Sequence, residues 1–186
     1  MGIAIGAGVV VLLLIWVIVT YNALVRRRNK VEEAWSGIDV QLQRRADLVP
    51  NLVDTVAAYK VHEEEVLTRV AEARSQLVSA EGPRANGVAD DILEASLKSL
   101  FAVVEAYPEL KASENFLALQ RELSDLEEEI SFARRYYNAL VEKLNSAIQV
   151  IPTVLIARPM GFSEAEYFKA EAADRAVPNV SLGGAA

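Results

Sequence analysis

Few residues in this chain have the type and spacing for chemistry. The one histidine lies in His62-Glu63-Glu64-Glu65-Val66, which begins like the H-E-x-x-H helix of a zinc protease, where two imidazoles one turn apart hold the metal. Position 66 is Val, and there is no cysteine. A zinc site would have to be built from carboxylates, against the usual nitrogen and sulfur preference of the ion. The runs Glu63–Glu65 and Glu127–Glu129 suggest paired acid and base groups, but consecutive helical residues point in different directions, which favours a solvated face. A Ser-His-Asp assembly would need His62 on that charged face, and neither a phosphate-binding Gly-rich loop nor a G-x-S-x-G elbow is present. The expectation is therefore no catalytic residue, no metal, no cofactor and no enzyme.

A polar set on otherwise packable segments remains: Asp39, Gln41, Arg44, Arg45, Asp47 and Asn51 in one stretch, Arg134, Arg135 and Asn138 in another. Surface charge with one or two interhelical salt bridges accounts for most of it. Arg45 differs, because it falls on an apolar stripe, where a guanidinium must be paired or reach water.

The elements that carry these residues are helices. Steps of three and four residues connect Trp35, Ile38, Leu42, Arg45, Val49, Leu52, Val56, Tyr59, Glu63, Val66, Val70, Ala73 and Leu77, and only Arg45 and Glu63 interrupt the seam. A second, uninterrupted heptad-like seam runs from Phe116 to Ala147. Both need partner helices, as in a bundle or coiled coil. Strand patterns are nearly absent. Pro50 interrupts the first seam, so that helix either kinks and continues or restarts with Asp47 as its cap; continuity of the stripe favours the kink. Glu81-Gly82-Pro83 and Asn86-Gly87 form a turn-rich break, and Asp90 and Asp91 open a helix to about 106 that Tyr107-Pro108 ends. Ser113 caps the long helix to Gln149, and Ser163 opens a last short helix to about 174.

The 186 residues carry a formal charge of −7 and a mean hydropathy of +0.18, and both numbers divide sharply along the chain. No charged residue precedes Arg26, whereas Arg26, Arg27, Arg28 and Lys30 are four cations, which leaves −11 for residues 31–186. That acidic body speaks against a nucleic-acid partner. The apolar run containing Ile3, Gly6, Leu12, Trp16 and Val19 gives about 20 residues, or roughly 30 Å of helix, the length of a bilayer span. A cleaved signal peptide would want cations in front of the run and a small-x-small site after it. The cations follow instead, predicting a single-pass anchor with the N-terminus out and the C-terminal side cytoplasmic. Tyr21 reads as an interfacial aromatic; Trp16 is either interfacial or lipid-facing. Gly2 and Gly6 could permit close helix approach, though plain small residues at a helix end are the favoured explanation. The resulting organisation is an anchor at 1–25, an all-α domain at 26–176 and a flexible tail at 177–186. In that domain an antiparallel bundle of about four helices follows the anchor, with a long, kinked first helix.

Tyr21-Asn22-Ala23-Leu24-Val25, Arg28-Asn29, Ala34-Trp35-Ser36, Ile38-Asp39-Val40-Gln41-Leu42, Arg44-Arg45 and Asp47-Leu48-Val49-Pro50-Asn51-Leu52-Val53, together with Glu105-Ala106-Tyr107-Pro108, Glu114-Asn115-Phe116, Ala133-Arg134-Arg135-Tyr136-Tyr137-Asn138, Gly161-Phe162 and Phe168, resemble the signature of the LemA family of bacterial membrane proteins. The resemblance covers about 21–168. Where the family often repeats Tyr-Asn, this chain has Leu144-Asn145. The resemblance implies a membrane helix bearing a helical bundle in the bacterial cytoplasmic (inner) membrane, with no established reaction and with links to membrane proteases of the HtpX type and to the organisation of internal membranes. The expected role is a scaffold or adaptor that self-assembles on the cytoplasmic face; the alternative is a regulatory subunit of a membrane protease or other single membrane enzyme.

Helix lengths bear on assembly. Residues 26–80 would span roughly 80 Å as one helix, against about 28 and 57 Å for 88–106 and 113–150. Packing of the shorter helices beside the distal part would leave Trp35, Ile38 and Leu42 uncovered and available to a second copy in a homo-oligomer. A long hairpin that returns to the membrane would cover them within the chain. The candidate assembly or packing residues are thus Trp35, Ile38, Leu42, Arg45, Asp47, Pro50, Arg134, Arg135, Tyr136 and Asn138.

Overall fold

The computed structural model describes residues 2–59 and 63–168, and among them there are helices and turns but no strand. The first helix, α1 (Gly2–Ala58), is followed by α2 (Glu64–Ser79), α3 (Gly82–Val104), the single turn α4 (Pro108–Lys111), α5 (Glu114–Gln149) and the single turn α6 (Val154–Ala157). The 57 residues of α1 make a rod of about 86 Å. Its first third is apolar on every side and exposed all round, with Ile3, Leu12 and Val19 bare, as expected of a helix long and apolar enough to cross a membrane. Gly2 and Gly6 face open space.

Beyond Tyr21 the same helix acquires a buried stripe of Leu24, Val31, Ile38, Leu42, Val49, Leu52 and Val56, spaced for one face. Pro50 lies inside this continuous helix, so no restart occurs and Asp47 caps nothing; its carboxylate instead accepts a bond from Gln43 Nε2 at 2.9 Å. The break comes later. The helix expected to continue along this seam to Leu77 ends at Ala58, and α2 folds back on α1 with Val66, Val70, Ala73 and Leu77 inward. Glu63, the interruption in the seam, sits at the N-terminal boundary of α2. His62 falls outside the described residues.

Gly82, at φ 81°, makes the turn into α3, a conformation costly for residues with a Cβ, and Pro83 follows in the first helical turn. Because α3 starts there, eight residues before the expected start, Asn86 and Gly87 lie within the helix. Asp90 is then a buried mid-helix residue rather than an acidic helix opener. Asn86 bonds back to the carbonyls of Ala80 and Gly82 at 3.1 and 2.9 Å. Ser113 does precede α5, with extended backbone but no side-chain cap bond.

The chain thus runs up α1, down α2, up α3 and down α5. Because α5 has 36 residues, about 54 Å, it extends well past the α2–α3 turn to the base of the domain. Arg27 pairs there with the Lys143 carbonyl at 2.9 Å, Trp35 meets Tyr137 with ring centroids 5.9 Å apart, and Arg45 meets Glu127. In each pair the residue numbers add to 170 or 172, which defines one antiparallel register along the α1–α5 hairpin.

Candidate functional site

Three features of the described residues could carry function: a buried ionic cluster, a strap that closes the lower bundle, and an outward-facing aromatic groove.

Arg45 points into the bundle and is 2% exposed. Its guanidinium bonds Asp90 of α3 at 2.5 Å and pairs with Glu127 of α5, so one residue of α1 ties three helices at one level. Burial pushes the Asp90 carboxyl above its ordinary value, and the Arg45 charge opposes that rise. Glu127 is therefore not part of a wholly solvated face; its neighbours Glu128 and Glu129 are exposed. Its side chain remains about one third open to water, at a shallow cleft of about 270 Å³ between α3 and α5. One guanidinium thus serves two carboxylates, Asp90 buried and Glu127 partly in water, and an interior ion pair with no nucleophile beside it holds helices in register. Arg74 adds a bond to the Ala46 carbonyl at 2.8 Å, which fixes α2 at the same level.

Below the α2–α3 turn, among the described residues, α1 and α5 are the only long helices that continue, and two helices alone would leave their facing stripe open to one side. Gly161, at φ 78°, turns the chain after α6 into an irregular segment, 162–168, that fills this side. The expected helix from Ser163 is thus replaced over 163–168 by a strap; its continuation and the tail at 177–186 lie outside the described residues. The reason is hydrogen bonding from α5. Asn145 accepts from the Ala165 N–H at 2.8 Å and donates to the Ala165 carbonyl at 3.0 Å. Asn138, two turns earlier on the same face, donates to the Phe168 carbonyl at 3.1 Å, and the Tyr137 hydroxyl donates to the Glu166 carbonyl at 2.7 Å. These bonds satisfy strap backbone that a helix would have satisfied internally. Burial, with the Glu166 charge adding to it, pushes the Tyr137 hydroxyl up to about 12.

The strap carries Phe162 and Phe168 inward, both buried. Phe168 stands 6.3 Å from Trp35, and Phe162 meets Tyr21 edge-on at 5.6 Å, with Arg28 over its ring at the same distance. Trp35, Ile38 and Leu42 are consequently packed by their own chain, Ile38 and Leu42 completely, and the expectation that they lack an intrachain partner is corrected. The alternative, a long hairpin, is the arrangement found: α5 runs back along α1 past Trp35 to Arg27, and the strap, which a count of helices omits, closes the remaining side against Trp35. Asn145, Tyr137 and Asp90 were not singled out from the sequence as a group. The visible signal was two asparagines seven residues apart, Asn138 and Asn145, each directly following a seam residue, Tyr137 and Leu144, of α5.

The groove lies on another side of the same hairpin. Ala34, Gly37 and Gln41 of α1 and Phe132, Ala133 and Tyr136 of α5 line a cleft of about 660 Å³, with Glu128 and Glu129 at its rim. Phe132 is 67% exposed and Tyr136 54%, too much for residues serving only the core. Nearby, Arg135 bonds the Ser131 hydroxyl at 2.9 Å and Arg44 the Gln41 side chain at 3.3 Å; Arg134 is also engaged. Asp39 is exposed.

Among the described residues, a long helix with an apolar first third that continues into an ion-paired helical hairpin bundle defines a class of helical protein with a candidate membrane-spanning segment. The chain belongs to the LemA family, whose model matches residues 34–182. It is 28% identical over 158 residues to Protein LemA of Metamycoplasma hominis, covering 83% of this chain and 71% of that one. It is 26% identical over 174 residues to Magnetosome protein MamQ of Magnetospirillum gryphiswaldense, covering 80% of this chain and 64% of that protein. The chain therefore spans less than two thirds of the length of that MamQ. None of these names is that of an enzyme.

Proposed function

We propose that the protein is a non-enzymatic, membrane-anchored scaffold that self-assembles at the cytoplasmic face of the bacterial inner membrane and organises membrane or membrane-protein partners there. The observation that carries this reading is mechanical: one uninterrupted helix, Gly2–Ala58, is both the candidate span and the spine of the bundle. Every copy then holds its Phe132–Tyr136 groove at the same height above the bilayer. Confinement and common orientation raise the effective concentration of copies, and aromatic side chains within a polar rim are the composition of an interface. The four cations after the span support the cytoplasmic placement of the domain.

The test is the mass of the full chain extracted in mild detergent. Wild type should exceed one subunit, and Phe132→Glu with Tyr136→Glu should reduce the particle to a monomer with unchanged helical content, since both side chains are exposed. A monomeric wild type refutes self-assembly. Recovery of a stoichiometric complex with one membrane enzyme would move the protein to the regulatory-subunit reading instead.

A further inference from the structure

The lower end of the domain carries an apolar surface that the scaffold reading does not use. After α5 ends, Val150, Ile151, Leu155 and Met160 are 53%, 83%, 70% and 46% exposed, while Ile156 and Ala157, beside them on α6, are buried. The turn is thus firmly seated through one side and bare on the other. Its height follows from the hairpin register. With paired residue numbers adding to 170 or 172, Val150 is level with residues 20–22 of α1. The Tyr21–Phe162 ring contact at 5.6 Å fixes the same level independently. The cations at 26–30 stand about 10 Å higher on the helix axis, toward the bundle. The bare side chains therefore sit on the apolar side of the cationic belt, beside the last turn of the segment proposed to span the bilayer.

We propose that the α5–α6 turn is a second membrane contact, which lays Ile151, Leu155 and Met160 into the boundary between headgroups and acyl chains of the leaflet from which α1 emerges. It rests on the reading of residues 2–25 as a bilayer span. Apolar residues beneath a basic belt match the depth profile of that boundary, where apolar side chains meet acyl chains and Arg or Lys meets phosphate. Arg27 and Arg28 are held in that belt by their contacts with the Lys143 carbonyl and the Phe162 ring. Two contacts at different points on the domain fix its tilt as well as its height, which a single helix crossing does not.

The chain has no cysteine, so single cysteines report single sites. Full-length Ile151→Cys and Leu155→Cys, labelled with an environment-sensitive fluorophore, would be placed in vesicles of phosphatidylcholine and phosphatidylglycerol containing nitroxide lipids. Leu12→Cys in the span and Leu117→Cys at the distal end of α5 serve as references. The proposal predicts a blue shift at 151 and 155 and loss of emission to shallow nitroxides, deep quenching at 12 and no quenching at 117. Quenching at 12 with water-like emission at 151 and 155 overturns the second contact and leaves the anchor standing. Blue-shifted but unquenched emission at 151 and 155 assigns the surface to protein, a second copy included, and also overturns it. No quenching at 12 removes the anchor and this inference with it.

Discussion

Replacing Arg45 by Met keeps most of the aliphatic stem and removes the charge that matches Asp90 and Glu127. Glu127 is about one third exposed and can rotate to water, so its loss of a partner costs less than about 1 kcal/mol. Asp90 is 2% exposed and has no such escape. Breaking a buried pair from one side costs about 3–5 kcal/mol, which for a domain of this size lowers the melting temperature by roughly 6–20 °C. The sign of the pH dependence is set by Asp90. Its folded value is already raised above 3.8, and without the opposing Arg45 charge it rises further. Folding then favours the protonated carboxyl, so the variant keeps its stability below the ordinary Asp value and loses it as pH rises through the folded value. Thermal unfolding of the full chain in detergent, followed by circular dichroism, should therefore show a larger deficit near neutral pH than near pH 4. The double variant Arg45→Met with Asp90→Leu should recover most of the loss, because an apolar pair often replaces a buried ionic one at little cost. A single variant within about 1 kcal/mol of wild type, or a deficit that grows toward acid pH, would refute the assignment of Arg45 as a paired interior charge.

Further expectations follow from the strap and the anchor. Asn145→Leu removes both bonds to Ala165 and should cost about 1–3 kcal/mol, with residues 162–168 gaining hydrogen exchange and protease sensitivity while the α2–α3 hairpin does not; uniform protection would show that the strap is held elsewhere. Tyr137 should remain protonated until about pH 12. Its contribution to stability is then complete below the ordinary value of about 10 and lost above it, a transition that Tyr137→Phe should abolish from the alkaline absorbance titration. A cysteine at Gly183 should resist an impermeant maleimide in intact cells, and ready labelling would invert the topology.

The seam positions, the seat of the break near Gly82 and the boundaries of α5 were legible because apolar spacing and turn residues act locally. The break at Ala58 was less visible, since Tyr59, Glu63 and Val66 continue the helical spacing across it and only the polar Glu63 hinted at a boundary. Arg45 stood out as a charge on an apolar stripe, but its partners did not: Asp90 looked like a helix opener and Glu127 like one of three surface carboxylates. Neither role can be assigned before the register between α1, α3 and α5 is known. The strap was the hardest feature to read. Its residues lack regular spacing, and its backbone is satisfied by Asn138 and Asn145 from twenty to thirty residues away. Trp35 is covered by the return of α5 along α1, the alternative that helix lengths left open, and by an extended segment that periodicity does not reveal.

Copies of this protein are proposed to meet at the membrane surface through the groove between α1 and α5. The most direct measurement is cross-linking in isolated membranes with a short bis-maleimide, using single cysteines at Phe132 and, as a reference on the far end of the same helix, Leu117. Phe132→Cys should give a band of twice the monomer mass in good yield, and Leu117→Cys should give little. Equal yields at both positions, or monomer alone at Phe132→Cys, would rule out self-assembly through this groove.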